Sequence, residues 1–234
     1  MPAATMPSVG RRGHRSRRRR ARRAGSSLRA AAGLVGPAAF TAAWAVSARR
    51  QSTYSVANEH ISGLAAPGAT DPAVMTAGFV TLGVSSVIFA AELDRRLGGG
   101  ERSGYGPALM AASGLAMLGA GLFRRDRVSN YPMPGEPDGH QTWVNDVHDV
   151  SSVAAGTFAF GSLAALAVRF SGDPAWEDLS WRAASAALTG GALSAWFARD
   201  VTRPGNGLVQ RASVSIPLGF MTRVAWRMLR APAA

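Results

Sequence analysis

Four side chains in this sequence carry the chemistry of a site: Asp126, His148, Asp149 and Arg211. An imidazole takes up or gives up a proton near neutral pH, and an adjacent carboxylate can orient it. Ser62, Ser151 and Ser152 are hydroxyls that such a base would activate, and Arg211 is a permanent cation suited to an anion. With the polar groups that accompany them, the candidate site is Tyr54, Asn58, Ser62, Asp126, His148, Asp149, Gln210 and Arg211. No ordered catalytic motif joins these residues. There is no strained nucleophile turn, and the four histidines show no His-x-x-x-His or His-Glu-x-x-His spacing for a metal. Gly98-Gly99-Gly100 follows no strand, so it is no phosphate loop. No metal and no cofactor are implied, and enzymatic activity is left open.

The elements that position these residues are read from hydropathy. Hydrophobic residues make up 47% of the 234 and charged residues 17%, but the charge is segregated. All 26 basic residues are arginine, and RRGHRSRRRRARR at 11–23 holds nine of them, counted along the sequence. Cysteine is absent, which excludes disulfides, thiolate metal sites and cysteine nucleophiles. Beyond the tail, six windows approach the twenty or so apolar residues that a bilayer demands. They are 30–48, 73–92, 105–123, 149–168, 182–198 and 207–228. The six tryptophans, Trp44, Trp143, Trp176, Trp181, Trp196 and Trp226, fall near the window ends, where an amphipathic ring suits the headgroup layer. The expected fold is therefore all-α: a polytopic membrane bundle of six transmembrane helices over 29–230, behind a disordered basic tail over 1–28.

Orientation follows from arginine. Counting the tail with the segments on its side places 18 arginines with the N-terminus and eight opposite, so both termini are expected in the cytoplasm. The expected location is the inner (cytoplasmic) membrane, multi-pass. Val46-Ser47-Ala48 resembles a signal-peptide cleavage site, but further spans follow, and retention of the first span is the expectation. The tail reads as a topology determinant and a partner for anionic lipid rather than for nucleic acid, since an apolar segment follows it directly. Small residues at four-residue spacing, Ala183, Ala187, Gly191 and Ala195 in the fifth window, provide a surface for close helix approach.

With that topology the polar motifs gather on the outer face. Tyr54-Ser55, Ile61-Ser62, Gly121-x-Phe123-x-x-Asp126, His148 and Gly207-Leu208-x-Gln210-Arg211 occur in the order, and at the helix ends, typical of one family. The sequence resembles the domain-of-unknown-function 998 family of six-span bacterial and archaeal membrane proteins over about 30–228. The resemblance implies an architecture and no activity. It departs at Gly63-Leu64-Ala65, where many relatives carry an acidic residue.

Three uses of the outer polar cluster remain open. It can be structural, with Asp149 or Asp146 capping a helix and Arg211 paired to Asp126 or Asp149. It can form an outward mouth for a small polar ligand or lipid headgroup. It can be a membrane-embedded hydrolase on lipid-like substrates with His148 in acid–base work. A structural or sensor subunit is a further alternative, and the oligomeric state is not legible.

Overall fold

A computed structural model describes residues 10–98, 104–129 and 141–231, with side chains from residue 23 onward. Six α-helices follow one another: α1 (Gly10–Arg50), α2 (Pro72–Leu97), α3 (Tyr105–Leu122), α4 (Trp143–Ser171), α5 (Ser180–Arg199) and α6 (Asn206–Arg230). Short 3-10 turns occur at Ile61–Ala65 and Glu177–Leu179, and no strand occurs among the described residues.

Local chemistry explains most of the boundaries. Pro72 opens α2 at a position where its missing N–H costs nothing, and Gly98, at φ 75°, ends it in the left-handed region. Helix α4 begins six residues before the expected 149, because the Thr142 side chain accepts a hydrogen bond from Asn145 N at 3.3 Å. Neither Asp146 nor Asp149 is the cap. Helix α1 also begins early. Residues 10–28, expected to be disordered, continue the helix from Gly10, in keeping with the high helix propensity of Arg and Ala. Residues 1–9 lie outside the described part. Pro37 and Pro217 stand inside the continuous α1 and α6.

The helices form a closed ring. Each packs against its sequence neighbours, and α6 returns to pack against α1. Neighbouring helices run antiparallel, since one core joins residues from the first part of α1, α3 and α5 to residues from the last part of α2, α4 and α6, and these starts and finishes share one end. That end carries the arginine-rich start of α1 and is called the tail end here. Its apolar core draws on every helix, through Ala30, Leu93, Met110, Phe170, Ala183 and Val224 among others. At the opposite end a second core joins Phe40, Met75, Phe79, Leu82 and Ala120 to the turn residues Ile61, Leu64 and Ala65. Neither α4 nor α5 contributes to that second core.

Four helices are long and apolar enough to cross a membrane: Arg23–Arg50 of α1, and the whole of α2, α3 and α4. Helices α5 and α6 are long enough, at 20 and 25 residues, but less apolar.

The ring closes where α1 meets α2 and α6. A Cβ on Gly33 would lie 2.7 Å from both Ala225 Cβ and the Phe89 ring, whereas nothing stands within 4 Å of one on Gly191. Gly33→Val should destabilise the fold by about 1–3 kcal/mol, read as a lower melting temperature in detergent. Gly191→Ala should leave the melting temperature equal or higher.

Candidate functional site

The end opposite the tail is sealed by the chain itself. Residues 59–66 are all buried, and the Ile61–Ala65 turn sits against α1, α2 and α6 as a plug. The plug can lie this deep because glycine lets backbone meet backbone. A Cβ on Gly207 would stand 2.7 Å from Glu59 O, and one on Gly63 would stand 2.1 Å from Val128 O. Leu208 N donates to Ala57 O at 3.1 Å, so the first turn of α6 pairs directly with the loop.

Most of the expected site residues fasten this plug. Gln210 Oε1 accepts from Ile61 N at 2.8 Å. Asn58 Oδ1 accepts from Gly205 N at 2.8 Å. Ser62 is buried within the plug turn. The Tyr54 hydroxyl reaches His60 O at 2.9 Å and receives a short hydrogen bond from Arg211 Nη2. Burial, opposed by the Arg211 charge, pushes the Tyr54 phenol up to about 12, so it remains a neutral donor.

Arg211 departs from expectation. It was expected to pair with Asp126 or Asp149, and it meets neither. Its Nη1 donates to Glu59 O at 2.8 Å and Gly207 O at 2.9 Å, and its guanidinium lies over the rings of Trp44 and Tyr54. Main-chain carbonyls and aromatic faces together replace a carboxylate in holding a cation that is only 7% exposed.

The remaining members form a second group, at the corner between α3 and α4. Asp126 accepts from Thr142 N at 2.8 Å and Thr142 Oγ1 at 2.6 Å, and its own N–H donates to Asn145 Oδ1 at 3.0 Å. It therefore braces the cap of α4. Asp149 Oδ2 accepts from Asn145 Nδ2 at 2.9 Å and Gln141 Nε2 at 3.3 Å. His148, 1% exposed, turns Nδ1 toward Ala120 O at 2.8 Å and Phe123 O at 2.9 Å. Two acceptors there fix the proton on Nδ1 and leave Nε2 as the base, 3.3 Å from Ser152 Oγ. The Phe79 ring meets the imidazole edge-on at 6.3 Å.

One residue outside the expected set, His60, links the groups, and a second, Glu59, stands beside it in the loop. His60 Nε2 donates to Val201 O at 3.0 Å, and its Nδ1 faces Arg125 Nη1 at 2.9 Å. Burial first, and then the Arg125 charge, hold the His60 imidazole down at about 4. Phe197 of α5 packs on the same ring, at 4.7 Å between centroids. Glu59, 5% exposed, accepts from Ser55 N at 2.7 Å. The Asn58-Glu59-His60 run directly before the apolar stretch 61–66 was the available signal for both.

One side of α4 stays open. Ala167, Leu163, Phe160, Gly156, Ser152 and Asp149 are spaced three and four apart and so share a stripe. Leu163 and Ala167 are 2% and 8% exposed, Phe160 and Gly156 are half-buried, and Ser152 and Asp149 are exposed. At the tail end Ser180 Oγ of α5 reaches Ala167 O at 2.9 Å, and Gly190 abuts the Phe160 ring. Past Phe160, Ser194 of α5 turns to Ser213 of α6 at 3.0 Å. The seam between α4 and α5 thus opens toward the plugged end, with Asp149 and Ser152 on its wall and His148 behind them.

The neutral His60 has a consequence for acid stability. Its pKa is lower in the folded chain than the unfolded value of about 6.5, so the unfolded state binds the extra proton between the two. Its contribution is whole above about pH 6.5 and is lost as the pH falls toward about 4, by up to about 3 kcal/mol. His60→Gln, which keeps a donor and an acceptor without titrating, should flatten the fall in melting temperature across that window.

A profile described as "Protein of unknown function (DUF998)" matches residues 34–227. No curated protein and no solved structure matches the chain. The matched stretch takes in the plug, both polar groups and nearly all of the ring, and the chain belongs to the DUF998 family of proteins of unknown function.

Proposed function

We propose that this chain is a six-span protein of the cytoplasmic membrane, with both termini in the cytoplasm, that holds a lipid in the seam between α4 and α5. The observation that carries the lipid site is the exposure gradient along the α4 stripe, from buried Leu163 to exposed Ser152 and Asp149. Several features support the spanning of all six helices. Twenty residues of α5 extend about 30 Å, the thickness of a bilayer core. Exposed tryptophans stand toward both ends, Trp143 and Trp196 at one and Trp181 and Trp226 at the other, with exposed Val84, Leu115, Val153 and Leu188 between.

A bilayer lipid entering the seam sideways would lay an acyl chain against Gly156 and Phe160 and bring its headgroup to Asp149. Among the described residues, both hydrogen bonds on that carboxylate fall on Oδ2, and Oδ1 is left to accept from a ligand. The site therefore favours a headgroup with donors, an ammonium or hydroxyls, over one with only acceptors. Gly156→Trp, which fills the seam, should abolish retention of lipid in native mass spectrometry without lowering the melting temperature. Asp149→Asn should weaken retention of phosphatidylethanolamine about tenfold, the worth of ~1.4 kcal/mol. Undiminished retention in both variants would remove the lipid site.

A second reading rests on the 3.3 Å contact between His148 Nε2 and Ser152 Oγ. Ser152 Oγ would attack an ester carbonyl while Nε2 takes its proton, then returns it to the departing alcohol, and water would release the acyl group as a carboxylic acid. A fluorophosphonate probe should then label the protein at Ser152 and leave Ser152→Ala unlabelled. Absence of labelling in the unaltered chain ends this reading.

A further inference from the structure

The tail end holds a cluster that neither the plug nor the seam uses. Glu92, in the last part of α2, is fully buried, yet its carboxylate is met by three arginines. Arg29 Nε reaches Oε2 at 3.0 Å, and Arg95 Nε reaches the same oxygen at 3.0 Å. Arg95 Nη2 also bonds Oε1, and Arg96 Nε reaches Oε1 at 3.2 Å. Ser26, 3% exposed, donates to Oε1 at 2.5 Å and accepts from Arg95 Nη2 at 2.8 Å and Arg96 Nη2 at 3.2 Å. Arg96 goes on to Met228 O and Ala231 O at the end of α6, both at 3.4 Å.

The charges do not balance. Three guanidiniums share one carboxylate, which leaves two positive charges. The Arg29 and Arg95 side chains are 47% and 48% exposed, whereas that of Arg96 is 14% exposed. The donors already spent differ in the same way. Among the described residues, Arg96 uses all three of its nitrogens on protein, Arg29 uses only Nε, and Arg95 keeps Nη1 unspent. Glu92 and Ser26 thus fix two guanidiniums side by side, with their outer N–H groups turned away from the partners that hold them. Planar, preoriented N–H donors carrying surplus positive charge form a receptor for a tetrahedral oxyanion.

We propose that Arg29 and Arg95, held in place by buried Glu92 and Ser26, bind a phosphate group, namely the phosphodiester of an anionic lipid at the tail-end surface. The site is separate from the arginine run at 11–23 and from the seam between α4 and α5. The lipid and free phosphate present the same oxygens, and anchorage of the lipid in the surrounding bilayer is what favours it as the source.

The test uses the full chain in a neutral detergent. Its melting temperature is followed on adding phosphatidylglycerol, phosphatidylcholine or inorganic phosphate. Phosphatidylglycerol should raise the melting temperature and phosphatidylcholine should not. The rise should vanish in R29Q/R95Q and persist in R17Q/R18Q, which removes as much charge from the tail. An equal rise with inorganic phosphate that R29Q/R95Q abolishes would keep the site and assign it to the free anion. Should R29Q/R95Q fail to fold, phenylglyoxal modification of the unaltered chain decides the matter: phosphatidylglycerol should protect Arg29 and Arg95 and leave the tail arginines reactive. A rise that survives in R29Q/R95Q, one that R17Q/R18Q abolishes, or equal modification with and without lipid overturns the proposal.

Discussion

Arg211 decides the shape of the plugged end. A cation that deep needs compensation, and here it comes from the carbonyls of Glu59 and Gly207 and from the faces of Trp44 and Tyr54. Those partners belong to the plug loop, α6 and α1, so one side chain ties together three segments far apart in sequence. Carbonyl ligation has a structural effect that a salt bridge to Asp126 would lack: it fixes the path of the backbone at residue 59, and through it the depth of the turn that follows. Gln210 and Asn58 then complete the latch with bonds to or from main-chain groups. Backbone polar groups carried into an apolar interior must find partners, and this cluster of polar side chains supplies them.

The plug also explains why the polar residues divide. A single mouth lined by Tyr54, Asp126, His148, Asp149 and Arg211 would need an open centre, and Ile61, Leu64 and Ala65 fill that centre. Arg211 and Tyr54 are left beneath the plug, whereas Asp149 and Ser152 are displaced to the wall of the ring. The contact between His60 and Arg125 spans the two groups, so loop packing and the α3–α4 corner are mechanically joined.

How far the sequence foretold this depends on the range of the interaction concerned. The six helices were legible because each apolar window is a local property, and the family resemblance was legible in Tyr54-Ser55, Asp126, His148 and Gln210-Arg211. The start of α4 was misplaced because Asn145, Asp146 and Asp149 look like loop residues, although Thr142 three before Asn145 is a cap signal. The partners of Arg211 were beyond reach, since a carbonyl has no letter in the sequence. Half of the Glu92 cluster was readable: Arg95 and Arg96 lie three and four residues on, the spacing at which helix side chains meet. Ser26 and Arg29 come from another helix, and only the pairing of α1 with α2 brings them in. The opening of the α4 stripe depends on how two helices diverge, which no single segment encodes.

The buried Glu92 also constrains how the first two helices come together. Within α2 alone the carboxylate already has Arg95 and Arg96 one turn on, whereas Ser26 and Arg29 of α1 reach it only when the two helices pack. Packing of α1 on α2 adds a third guanidinium and a buried hydroxyl to one carboxylate, so both Glu92 oxygens are met while two positive charges stay in surplus. The pair thereby has one register, set where Ser26 and Arg29 meet Glu92, and the other four helices complete the ring that it begins.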